Sequence, residues 1–160
     1  NEREENLEKV IEKNFLFPTI GDNQIRKKVY ENYIKHKFKE INLISLAANI
    51  SPLAKLNTSN LIVGNTNINS GASIGSACII NTAAVIEHDC NIEDYVHIAP
   101  GAVLAGNVFI GKESFVGAAA VIKQGVVITH NVTIGAGAVV IKNIDEPYSV
   151  WVGNPAKRIK

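Results

Sequence analysis

Every sixth residue from Ile50 to Val140 is aliphatic, running Ile50, Leu56, Ile62 and onward to Ile134 and Val140, sixteen positions without a miss. A period of six matches neither the 3.6 of a helix nor an uninterrupted two-residue alternation. It suits a short strand followed by a corner, repeated. The residue four places after each aliphatic is mostly small or β-branched: Ala54, Thr66, Ala72, Cys78, Ala84 and Cys90 begin that series. Each hexad therefore offers one large and one small inward side chain. Three hexads closing a triangular coil stack aliphatic over aliphatic, and parallel stacking at about 4.8 Å satisfies the backbone. The many Gly and Asn residues, Gly71, Gly101, Gly106 and Gly125 among them, supply the freedom that corners need. The span from Ile50 to Val140 predicts about five coils, with the coil domain over residues 49–143.

Before the ladder, residues 2–13 are highly charged and read as a marginal helix. Phe15 to Ile20 reads as a short strand bent by Pro18. Gly21, Asp22 and Asn23 form a turn with capping residues. A helix then runs to about His36, with Ile25, Val29, Tyr33 and Ile34 as its apolar side and Arg26, Lys27, Lys28, Lys35 and Lys37 elsewhere. Its basic run is read as a solvated face, with a nearby phosphate-bearing ligand as the alternative. Asn42 to Leu46 reads as a second strand, so that residues 1–48 look like the end of an α/β unit. Residues 144–160, with Trp151 and Pro155, are expected to cap the open last coil.

The net charge of +1 over 160 residues gives no basic field for nucleic acid. No apolar run of about eighteen residues is present, so no membrane insertion is expected. The two cysteines, Cys78 and Cys90, fall on small inward positions and read as buried hydrophobes. Two reduced thiols suit a cytoplasmic protein. Glu87-His88-Asp89 breaks the bland repeat. In this phase its side chains point outward or line a corner, where a histidine flanked by carboxylates makes a tunable base.

Hexads such as Ile74-Gly75-Ser76-Ala77-Cys78-Ile79 and Ile134-Gly135-Ala136-Gly137-Ala138-Val139 resemble those of the hexapeptide-repeat acyltransferases, whose domain is a left-handed parallel β-helix. Ile86-Glu87-His88-Asp89-Cys90 followed by Val96-His97-Ile98-Ala99-Pro100-Gly101-Ala102, the Ile20-Gly21-Asp22-Asn23 segment and the Gly153-Asn154-Pro155-Ala156-Lys157 tail narrow the likeness. They are similar to one branch: N-acetyltransferases of UDP-4-amino-4,6-dideoxy sugars, together with sialic-acid O-acetyltransferases. The resemblance implies His88 as general base and Asp89 as the acid that supports it. It implies that His97, Gly106, Ala118 and Ala136 contact acetyl-CoA, and that Gly21 and Asn81 lie on the side of a nucleotide-activated amino sugar. It further implies a homotrimer with sites in the grooves between its β-helices; no metal is expected. The branch begins with a strand and a Gly-rich nucleotide-binding turn. Neither is in this sequence and Asn1 is not an initiator, so an N-terminal piece is expected to precede it.

Three other readings compete with this one. O-acetylation of a sialic acid would use the same base. A non-catalytic trimeric scaffold would not need the Glu-His-Asp cluster. A γ-type carbonic anhydrase has the same coil and holds zinc on three histidines, but the offsets of 9 and 33 between His88, His97 and His130 do not resemble its closely spaced pair.

Overall fold

The computed structural model describes residues 17–35 and 39–160, so the helix expected over residues 2–13 lies outside the described residues. Among the described residues, one helix precedes a triangular parallel β-helix. Up to the last coil, each turn places a strand of two residues on each of three faces, and each strand pairs in parallel with the strand eighteen residues on, as Leu43↔Leu61 and Asn67↔Val85 show. The first face starts at Leu43–Ile44 and continues through Ile79–Ile80, His97–Ile98 and Phe115–Val116. The second contains Val85–Ile86 and Val103–Leu104, and the third Asn91–Ile92 and Phe109–Ile110.

The aliphatic ladder is the core. From Ile62 to Val140 every member is at most 3 % exposed, while Ile50 and Leu56, at the open first coils, are half-buried. The small inward positions are equally closed, and several of them do more than fill space. Asn60, Thr66, Cys78, Cys90 and Ser114 each donate a side-chain hydrogen bond to the carbonyl fifteen residues on, with distances from 2.8 to 3.1 Å. A polar group in that slot thus ties one corner to the next coil, which offsets its desolvation.

The corners differ from expectation in one respect. Every sixth residue from Ser59 to Gly137 has a positive φ, yet only Gly71, Gly101, Gly125 and Gly137 of that series are glycine. The left-handed position is mostly occupied by Ala, Asn, Asp and other residues with a Cβ, held there by the coil around them. The remaining corner glycines serve close approach instead. A Cβ on Gly117 would stand 2.6 Å from the Ala136 amide of the next coil.

The N-terminal elements depart further. Residues 17–20 form no strand. The expected second strand exists as Leu43–Ile44, but it pairs with Leu61–Ile62 and belongs to the first face of the β-helix, not to an α/β unit. Helix α1 spans Asn23–Lys35 and is capped by Asp22, whose Oδ1 accepts the Ile25 N–H at 2.9 Å. Its buried side carries Arg26 and Tyr30, whereas Ile25 and Ile34 of the expected apolar face are about half exposed. The physical reason is what the helix packs on. It lies against a corner of the coil, where backbone oxygens face outward, and a guanidinium satisfies these better than an alkyl chain.

At the far end, Val150–Val152 extends the first face beside Thr133–Ile134, and Lys157–Arg158 folds back antiparallel on it. Trp151 packs against the core and donates Nε1–H to Ser149 Oγ at 2.9 Å.

Candidate active site

Stacking at eighteen residues brings the singled-out residues into two groups at opposite ends of the second face. The first group sits on the corner after Val85–Ile86. His88 Nδ1 lies 2.9 Å from Asp89 Oδ2, and both side chains are more than half exposed. A carboxylate accepts only, so Nδ1 carries a proton, and in the neutral imidazole Nε2 then presents a lone pair. That Nε2 hangs over Gly106, one coil on, where a Cβ would stand 2.4 Å away. Glycine at 106 is therefore a ledge cut for the imidazole. Asp89 occupies one of the left-handed corner positions, φ 60°, which aims its carboxylate back along the corner. The expected flanking by two carboxylates is halved: Glu87 is held by Asn69 Nδ2 at 2.9 Å and leaves Asp89 as the imidazole's partner.

The second group gathers around His97, on the first face. His97 Nδ1 lies 3.2 Å from the Gly21 carbonyl, Nε2 lies 3.3 Å from Asn81 Nδ2, and the ring meets Phe115 edge-on at 5.1 Å. The Gly21 approach could not be read from the sequence, because it crosses from the helix segment to the coil. Burial holds the His97 imidazole below the usual histidine range, and the nearby Arg26 charge pushes the same way against the Gly21 hydrogen bond. Beside it opens a cleft of about 350 Å³ between the start of α1 and the first face, lined by Gly21, Asn23, Glu113 and Phe115 among others.

Ala118 and Ala136 stack on the corner that also carries Asn81, one coil apart, and the Gly137 amide donates to the Ala118 carbonyl at 2.8 Å. At Thr82 and Ser76, side chains of Asn81 and Asp94 accept the amide at the equivalent corner place. The Gly106, Ala118 and Ala136 amides donate no hydrogen bond among the described residues. They are backbone donors left over by the coil, facing outward on its two corners.

His88, His97 and His130 do not converge. His130 lies on a third corner against Tyr148, ring centroids 5.8 Å apart. No group of three His, Cys, Asp or Glu side chains among the described residues is arranged to hold a metal ion. Both cysteines are free and buried.

Comparison with known proteins matches this coil to a described family. Residues 71–106, which contain His88, fit the bacterial transferase hexapeptide model of six repeats. The acetyltransferase domain of PglB from Neisseria gonorrhoeae FA1090 superposes with a TM-score of 0.88 at 36% identity, over 91% of this chain and 70% of that one. The chain belongs to the hexapeptide-repeat acyltransferases. Within that family, PerB from Caulobacter crescentus, solved with CoA and GDP-perosamine, matches at 35% identity and a TM-score of 0.89, over 91% of this chain and 70% of that one. The GDP-perosamine N-acetyltransferase of Escherichia coli O157:H7 is 32% identical over 142 residues, which is 88% of this chain. This hexapeptide-repeat chain spans 56% of the length of that curated relative.

Sequence reasoning missed one residue of the site altogether. Arg26, assigned to a solvated face, is 1% exposed and reaches the Gly21 carbonyl at 3.2 Å. Its only sequence signal was its place five residues after Gly21 in a segment that resembled the family.

Proposed function

We propose that the chain is an acetyl-CoA-dependent sugar N-acetyltransferase, acting on the amino group of a sugar carried on a nucleoside diphosphate. The observation that supports it most directly is the aim of His88: a lone pair on Nε2, fixed by Asp89 at Nδ1, over the bare Cα and undonated amide of Gly106. The relatives whose names give a substrate act on GDP-perosamine or are solved with it, and the PglB domain has also been solved with acetyl coenzyme A.

In this reading His88 Nε2 takes a proton from the sugar amine as its nitrogen attacks the thioester carbonyl. The C–N bond forms while negative charge gathers on the carbonyl oxygen, where the Gly106 N–H is the donor at hand. The C–S bond then breaks, and the proton on His88 passes to the leaving thiolate. Asp89 holds the imidazole in the tautomer that makes this possible. His97 and the Ala118 and Ala136 amides form the binding edge for acetyl-CoA, and Gly21 and Asn81, both against His97, stand on the sugar side of it. No covalent enzyme intermediate enters, in keeping with two buried thiols.

The two groups lie a full face apart within one chain. That face presents an outward row of Val85, Val103, Val121 and Val139, with Val121 39% exposed. Packing of copies along this row would set the His88 corner of one beside the His97 corner of another, which supports the homotrimer. The nucleotide is proposed as UDP from the motif resemblance, with GDP the rival that the relatives raise.

The test is thiol release from acetyl-CoA with a panel of UDP- and GDP-linked amino sugars and free sialic acid, using the full-length gene product. Amine-dependent release, lost by a factor of about 10²–10⁴ in His88→Ala with acetyl-CoA binding retained, is the expected result. Near-wild-type turnover in that variant would remove the base assignment. Release with sialic acid alone would replace N- by O-acetylation.

A further inference from the structure

We propose that Arg26 is a positioning residue of the site: its guanidinium fixes the Gly21 carbonyl, and that carbonyl holds His97 as the Nδ1–H tautomer. The proposal rests on the reading above in taking His97 as part of the acetyl-CoA edge.

A network of directional bonds settles the tautomer. Asn81 Oδ1 accepts the Thr82 N–H at 2.8 Å, so its amide nitrogen is the atom turned toward His97. An amide nitrogen only donates. His97 Nε2, 3.3 Å away, is therefore the acceptor and carries no proton. The ring proton is left on Nδ1, which donates to the Gly21 carbonyl at 3.2 Å. Which ring nitrogen is protonated follows from the bond the other one makes, so both ends must be held for the state to be unique.

Asn81 belongs to the coil and is held by it. Gly21 is not: residues 17–20 have no ladder of their own. Arg26 supplies the missing anchor. Nη1 donates to the Ile20 and Gly21 carbonyls at 2.8 and 3.2 Å. Nε donates to the Ala77 carbonyl at 2.8 Å, and Nη2 to the Tyr95 carbonyl and Asn23 Oδ1, both at 2.7 Å. Ala77 and Tyr95 sit at left-handed corner positions of adjacent coils. One side chain thus staples the Gly21 segment to two coils, through five donors in a rigid fork.

The cost of this arrangement is what makes a purely structural role insufficient. The guanidinium is buried with no carboxylate hydrogen-bonded to it, and burial lowers its pKa to about 10. A buried charge solvated only by carbonyls is a poor source of stability compared with an apolar contact. What it provides is a fixed set of oxygens. Burial first, and the Arg26 charge after it, oppose protonation of His97, which favours the neutral ring and leaves the second hydrogen of Asn81 Nδ2 to a ligand.

The experiment is ¹⁵N-histidine NMR of the full chain, reading the His97 tautomer, together with acetyl-CoA kinetics. Wild type is expected to show His97 as the Nδ1–H form. Arg26→Lys keeps the charge but cannot span the same oxygens. It is expected to give mixed tautomers and an acetyl-CoA KM raised about tenfold, with kcat changed far less. Asn23→Ala removes one acceptor of the fork, together with the two 3.0 Å bonds by which Asn23 Nδ2 ties the helix start to the Glu113 and Ser114 carbonyls, and should move both readouts the same way. This second variant decides the matter should the first not fold. An Nε2–H form in wild type would overturn the proposal. So would a folded Arg26→Lys with tautomer and KM unchanged, even in an active acetyltransferase. Conversely, a tautomer shift in a protein that transfers no acetyl group would sustain the positioning role and sink the proposed function.

Discussion

Replacing Gly106 by alanine separates the candidate site from the scaffold more cleanly than deleting the proposed base, His88. The new Cβ would stand 2.4 Å from His88 Nε2 and 2.5 Å from Cε1, where ordinary contact begins at 3.4 Å, so the ring must retreat by about 1 Å. It can do so cheaply, because the His88 side chain is 55% exposed and the bond it strains, to Asp89, is also in solvent. The stability cost should stay below ~1 kcal/mol. A misplacement of about 1 Å, however, is worth roughly 10²-fold in rate, or about 2.7 kcal/mol of barrier. Gly117→Ala is the matched control. Its Cβ would meet the Ala136 amide and the Ile134 carbonyl, both at 2.6 Å, and backbone cannot swing aside. That variant should lose about 1–3 kcal/mol of stability. Thermal melting and initial rates of acetyl transfer, measured on both, give the answer. Gly106→Ala is expected to melt like wild type and turn over about a hundredfold more slowly, while Gly117→Ala melts early. Wild-type turnover in a folded Gly106→Ala protein would refute the reasoning that His88 acts from over that ledge.

Three further outcomes follow from the geometry. Burial depresses the His97 pKa, so the unfolded chain binds more protons just below pH ~6.5 and stability contributed there is present above that pH and lost as it falls; the melting-temperature gap between wild type and His97→Gln should narrow from pH 7 to pH 5, and a constant gap would contradict it. The Cys78 thiol is pushed up to about 12 and Cys90 upward by burial, with each Sγ donating to a carbonyl at 3.1 Å; both should resist a thiol reagent at pH 8 until the chain is unfolded in urea, and fast native labelling would show that the coil opens. Asn60→Ala strands the Cys78 N–H and the Gly75 carbonyl, each bonded at 2.8 Å in a closed slot; a loss of roughly 2–4 kcal/mol in urea unfolding is expected, and a loss under 1 would show that water enters the coil.

What could be read from the sequence is what the repeat controls. Once the coil length is eighteen, position alone stacks His88 on Gly106, Ala118 on Ala136, and Cys78 on the first face's corner series, so one half of the site follows from counting. The pair Asp89–His88 is adjacent in the chain and needs no fold at all. The same counting placed Gly and Asn at the corners, as at Gly71 and Asn65, but did not foresee that the closed coil also holds Ala77, Asp89, Tyr95 and Glu113 in the positive-φ region. Helix α1 lies outside the repeat and defeated counting entirely. Its apolar spacing at Ile25, Val29 and Ile34 describes a helix seeking an apolar partner, but the coil's outer corner offers oxygens. Hydrogen-bonding demand there outweighed hydrophobic pattern and turned Arg26 inward. The element that periodicity could not place is therefore the one that brings Gly21 to His97 across 76 residues of chain, and that contact, unlike the residues making it, could be seen only in three dimensions.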